Sequence, residues 1–162
     1  MRVSEPVESA LHLLLVLAAL PLGAALVAAD LAEFHALAPA QTAKVLQRLA
    51  SAGILTASEG RAGGYRLAEP AEQVSVAEIV RAVEEGPAFR CHEIRQLGPC
   101  SGPPEAYTAR CRIAALMDKA EAAWWQCLDD HSLADLARSV GAGIDDGIRK
   151  ESSNWLTERA RW

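Results

Sequence analysis

Apolar positions in the first third of the chain fall into three helical runs. The first spans about Val7 to Leu20, and Pro21 to Gly23 breaks it. A second runs from about Ala25 to His35 through Leu26, Asp30, Leu31 and Phe34. A short turn follows, and Pro39 stands where a first helical residue is favoured. Val45, Leu46 and Leu49 then form a stripe that ends at Gly53, a good left-handed cap. Two helices joined by about four residues predict a helix-turn-helix.

The pattern then changes period. Ile54–Ser58 and Tyr65–Ala68 flank a glycine-rich turn at Gly60 to Gly64, which predicts a two-stranded ribbon with a flexible tip. Ser75 followed by Glu78 makes a capping box for a fourth helix, about Val76 to Glu85. Periodicity is lost over residues 86–110, where seven of 25 residues are Gly or Pro. Ile113, Leu116, Met117, Ala120, Trp124, Cys127 and Leu128 then recur at helical spacing and predict a fifth helix, about Ile113 to Leu128. Ser132 and Asp135 suggest a capped turn through Leu136, and after Gly141 the tail is polar, with Trp155 and Trp162 isolated in it.

Composition agrees with a mainly α fold. Of 162 residues 32 are Ala and only 5% are aromatic, which favours helix over sheet. At 51% hydrophobic the chain can build a core, and 162 residues fit one domain with an appended arm. The apolar stretch Ala10–Ala29 resembles a targeting segment only superficially. Glu5 and Glu8 offset Arg2, and a span would have to carry His12, Pro21 and Gly23, so a cytoplasmic protein with no membrane partner is expected.

The net charge of −5 hides a local excess of the opposite sign. From Gln41 to Ala68 four cations (Lys44, Arg48, Arg61, Arg66) face one anion (Glu59), so this window is +3 and the remainder −8. Basic residues belong there if a recognition helix and a wing meet phosphate. Gln41, Thr42 and Lys44 occupy the first turns of the third helix, from which base edges are read. Arg61 at the ribbon tip has the reach to enter a minor groove. Each charge alone is more simply a solvated surface residue; the order of helix, turn, helix, glycine cap and ribbon argues for the set. A phosphate-binding enzyme loop at Gly60 to Gly64 lacks the Lys-Ser/Thr that a P-loop requires.

Lys44-Val45-Leu46-Gln47-Arg48-Leu49, Ala52-Gly53-Ile54-Leu55 and Gly60-Arg61-Ala62-Gly63-Gly64-Tyr65-Arg66-Leu67 resemble the winged-helix signature of the Rrf-type bacterial regulators, the iron–sulfur-sensing repressors of the IscR, NsrR and RsrR kind. The resemblance extends through Val76–Glu84 and the cysteine loop to Leu133-Ala134-Asp135-Leu136, about residues 1–140. It implies a winged helix-turn-helix DNA-binding domain over 1–86, a cluster-binding loop over 87–112, a dimerisation helix and capped turn over 113–140, and a tail over 141–162. It also implies a homodimer on double-stranded operator DNA, a regulator rather than an enzyme. Ile113, Leu116, Met117, Ala120 and Trp124 would line the dimer.

Eight residues separate Cys91 from Cys100 and ten separate Cys100 from Cys111, too far apart for the paired ligands of structural zinc. Cysteines around a Gly/Pro-rich loop suit an iron–sulfur cluster among other options. The resemblance favours the cluster. The better-known members have three closely spaced cysteines, and this chain departs from them toward the RsrR kind. That likeness implies a 2Fe–2S cluster held by Glu8, His12, Cys91 and Cys111, with Glu8 and His12 from the partner subunit. Cys100 could stand in for one of these or be a spare thiol. Read without the resemblance, His12 is a core histidine, Glu8 a first-turn carboxylate favoured by the helix dipole, and Cys127 a packing residue. The expectation is a dimeric redox- or small-molecule-sensing regulator. A cluster-free regulator with direct thiol sensing, or a metal-binding interaction protein, are the competing readings.

Overall fold

A computed structural model of the chain describes residues 4–60, 63–84, 86, 89, 91–92 and 94–162. Its elements are α1 (Glu5–Ala18), α2 (Ala28–Phe34), α3 (Pro39–Ser51), β1 (Leu55–Ser58), β2 (Gly64–Leu67), α4 (Val76–Val83), α5 (Arg112–Asp129), α6 (Leu133–Ala142) and α7 (Asp146–Arg159), with three short 3-10 turns. The fold is mainly helical, a winged helix with one small antiparallel sheet. It divides into two compact units, residues 2–84 with 128–162, and residues 85–127.

The first unit is built around α1. Val7, Ala10, Leu13, Leu14 and Leu17 are buried along it, and it packs against α3, α4 and α6. Leu46 and Leu49 of α3, Ile79 of α4 and Leu133 of α6 are fully buried. The α4 capping box forms as expected: the Ser75 hydroxyl accepts from the Glu78 amide at 3.1 Å, and the Ser75 amide donates to Glu78 at 2.8 Å. An equivalent box at Ser132 and Asp135 starts α6. The Ser132 hydrogen bonds, ahead of the nearby Arg138 and His131 charges, hold the Asp135 carboxyl below its ordinary value.

Three stretches differ from the pattern-based expectation. The second helix starts at Ala28 rather than Ala25, because Ala25 and Leu26 are extended. Leu26 exchanges backbone hydrogen bonds with Tyr65 at 3.0 and 2.8 Å, and Ala25 exchanges them with Arg161 at 2.9 Å. The ribbon thereby gains a flank on each side of one short segment. Gly64 is required there, since a Cβ would lie 2.6 Å from the Leu26 carbonyl oxygen. Second, the capped turn at Ser132 continues as α6 to Ala142, and it groups with the winged helix rather than with α5.

The third difference is the tail. Residues 146–159 form α7, capped by the Asp145 carboxylate, which accepts from the Gly147 amide at 2.8 Å. Leu156 is buried, and Trp155 meets Phe34 of α2 edge to face at 5.2 Å. The Arg159 guanidinium lies 3.9 Å over the Trp155 ring and 3.6 Å from Glu33. The apolar positions of α7 are too few to signal a buried face, so the polar pattern concealed it. Trp155→Ala removes both the ring pair and the cation contact. It should cost about 2 kcal/mol and lower the melting temperature by roughly 4–8 °C, measured by calorimetry.

Candidate nucleic-acid interface and cluster ligands

The helix-turn-helix is formed by α2 and α3. The Leu37 amide donates to the Ala32 carbonyl at 2.9 Å and closes the turn, and Pro39 opens α3. Thr42, Val45, Leu46 and Leu49 share the buried side of α3, three and four residues apart. Thr42 therefore does not read bases, contrary to the sequence expectation: it is 1% exposed, on the core side. Its i, i+3, i+4 relation to Val45 and Leu46 was the signal that placed it inward.

Lys44, Gln47 and Arg48 are exposed on the opposite side, and Gln41 is half-exposed. Gln47, three residues after Lys44, is a face residue that sequence reasoning passed over. An open groove beside α3 is lined by Gln41, Lys44, Gln47, Arg48 and Arg81, with Glu5 also on its wall. Arg48 donates to the Val83 carbonyl at 2.8 Å, so its guanidinium braces α3 against the end of α4 as well as facing the groove. Arg66 of β2 is half-buried and donates to the Ser58 hydroxyl at 3.0 Å across the ribbon. Arg61 lies outside the described residues.

Glu8 and His12 lie one turn apart on α1, and both are exposed. The His12 and His35 rings meet edge to face, with centroids 5.0 Å apart. His35 is held below its ordinary pKa chiefly by burial and next by the His12 charge; the His12 backbone carbonyl works the other way.

The cysteines belong to the other unit. Cys91 and Cys100 are exposed and Cys111 is half-buried. Cys111 sits immediately before α5, and its carbonyl accepts the Ala115 amide at 2.9 Å. A helix N-terminus there favours an anionic thiolate through the peptide dipoles. Arg110 and Asp118 form an ion pair across the start of the same helix. Cys127 is exposed rather than packed. Among the described residues of the single chain, no three His, Cys, Asp or Glu side chains gather into a metal-holding group.

On α5 Ala114 is the one fully buried residue described, while Ile113 and Leu116 are each 66% exposed and Met117 37%. Ala120 is exposed and Trp124 half-buried. No helix among the described residues is long and apolar enough to cross a membrane.

The family described as Rrf2, iron-dependent transcriptional regulator, matches residues 3–139. The fold is similar to that of T. potens IscR, at 18% identity over 93% of this chain and 96% of that one, with a TM-score of 0.66. It is also similar to CymR, the global cysteine regulator of B. subtilis, at 20% identity over 86% and 98% of the two chains, TM-score 0.64. The oxidized form of Staphylococcus aureus CymR matches at 24% identity over 85% and 96%, TM-score 0.62. A winged helix with a basic outer face on its second turn-flanking helix, matched over most of its length, places this chain in the Rrf2 family of DNA-binding transcriptional regulators.

Proposed function

We propose that the chain works as a homodimer whose operator affinity is set by a 2Fe–2S cluster held by Glu8, His12, Cys91 and Cys111, the first two contributed by the partner subunit. The observation that carries this reading is the exposure of potential ligands together with the exposed apolar stripe of α5. Glu8 and His12 share an outward strip of α1, and Ile113, Leu116 and Met117 leave an apolar face on α5 that a second copy would cover.

The donor set fits such a cluster: two thiolates, an imidazole and a carboxylate are all side chains that ligate iron. When bound, the group supplies a charge that changes by one electron, at a potential raised by nitrogen-for-sulfur ligation, as in Rieske centres at about −150 to +300 mV against about −400 mV for all-cysteine plant-type ferredoxins. Glu8 and His12 are fixed on α1, and α1 packs directly on α3 and α4. A pull on these two side chains therefore bears on the helix that faces DNA. A shift of the two winged helices would alter the half-site spacing they fit.

On the DNA side, Lys44 holds phosphate, while Gln41 and Gln47 face base edges. Lys44→Ala should weaken binding to all duplexes alike and lower the salt slope by about one. Gln41→Ala should instead relax sequence preference, read by selection from a random duplex pool. Unchanged slope and preference in both variants would remove α3 from the interface.

Thiol sensing without a cluster is the second reading, supported by the exposure of Cys91 and Cys100. The absorption spectrum of protein purified without oxygen separates the two. A coloured protein supports the cluster; a colourless one whose DNA binding responds to thiol oxidants supports the alternative.

A further inference from the structure

We propose that His35 is the positioning residue that ties His12 to the turn of the helix-turn-helix, by accepting a hydrogen bond from the His12 ring. The proposal rests on the reading of His12 as a cluster ligand. The two rings meet edge to face, with centroids 5.0 Å apart and 63° between their planes. His35 is the residue that ends α2, so its backbone already belongs to the turn.

The Nε2 atom of His35 is buried and has no hydrogen-bond partner among the described residues. Leaving a buried polar atom unpaired is costly, because its lost hydration is not replaced. A histidine that binds a metal through one ring nitrogen almost always donates the N–H of the other to a nearby acceptor, which fixes its tautomer and plane. His35 Nε2 offers that acceptor beside His12. His12 is exposed, so it remains accessible to a ligand while its ring is in contact with His35.

His35 is also backed so that it cannot simply yield. Phe34 meets it at 4.9 Å, and Phe34 is itself held by Trp155 at 5.2 Å. What gives instead is the next residue. Ala36 has φ of 52°, the one positive φ among described residues other than glycine, where the Cβ of an alanine crowds the following carbonyl oxygen. A displacement of His12 passed on through His35 thus bears on this backbone position, three residues before α3 begins.

The test uses the full chain loaded with iron and sulfide under anaerobic conditions, as wild type, His35→Leu and His35→Gln. His35→Leu keeps all four proposed ligands, so its visible spectrum should persist while its midpoint potential moves. Its ratio of duplex affinities between oxidised and reduced protein should fall to within about twofold of one. His35→Gln retains an acceptor and should recover most of the wild-type ratio. In cluster-free protein, His12→Ala and His35→Leu should each speed exchange of the Ala36 and Leu37 amides, and the double variant should add little more. An unchanged potential and affinity ratio in His35→Leu, or additive exchange rates, would overturn the link. A wild-type chain that takes up no cluster would overturn the ligand reading instead, leaving the exchange cycle to decide whether the two histidines act as a unit.

Discussion

Cys91→Ala and Cys111→Ala should each give a protein without the visible absorption of a 2Fe–2S centre, whereas Cys100→Ala should keep it. Each of the first two removes an anionic thiolate for which water is a poor substitute on iron. Cys111 is the more constrained of the pair, because it sits at the N-terminus of α5 with its backbone fixed by the Ala115 amide. Cys100, exposed on the 85–127 unit, has no role in the proposed set. His12→Cys should retain a cluster at a lower potential, since thiolate donates more charge to iron than imidazole does. Glu8→Ala should leave one iron position open and the cluster labile. Iron and sulfide content with the absorption spectrum decides cluster retention in all five, and a redox titration reads the potential of His12→Cys. Loss of the cluster in Cys100→Ala, with an unchanged spectrum in His12→Ala, would replace the mixed ligand set by a three-cysteine one.

Ile113→Glu combined with Leu116→Glu should convert the dimer to monomer. Both side chains are two-thirds exposed in the single chain, so their replacement leaves the fold of each copy undisturbed. In a dimer the same carboxylates would be buried without partners, at a cost of several kcal/mol. Because Glu8 and His12 are proposed to come from the partner, the monomer should also lose its cluster while keeping its helical content. Sedimentation velocity gives the first result and the absorption spectrum the second. A variant that stays dimeric would move the interface away from this stripe, and a monomer that keeps the cluster would place all four ligands in one chain.

The order of elements was legible because each carries a local signal. Ser75 with Glu78 marked one helix start, Pro39 another and Gly53 the end of α3, while Ser132 with Asp135 marked a capped turn but not the helix that continues from it. Local signals do not report partners distant in sequence, and the misread stretches are of that kind. Ala25 and Leu26 read as helix because alanine and leucine favour it, yet their backbone groups are taken by Arg161 and Tyr65. The α7 helix is anchored by one tryptophan and one arginine on α2, too sparse a pattern for periodicity to register.

Site residues followed the same rule. Lys44 could be placed outward from its spacing, and Thr42 could have been placed inward from its own. The brace from Arg48 to Val83 could not, since it joins residues 35 positions apart. Glu8 and His12 share a face by spacing alone, as the sequence implies, but the ring contact between His12 and His35 depends on where the turn after α2 lies against α1.

In the proposed regulator the state of the cluster sets operator affinity. This dependence is measured by titrating one duplex, selected by the protein from a random pool, with oxidised and with chemically reduced protein at the same salt concentration. The two dissociation constants should differ by at least severalfold, within the usual 1–3 kcal/mol of coupling between sites. Superimposable binding curves for a demonstrably loaded protein in the two states would contradict it.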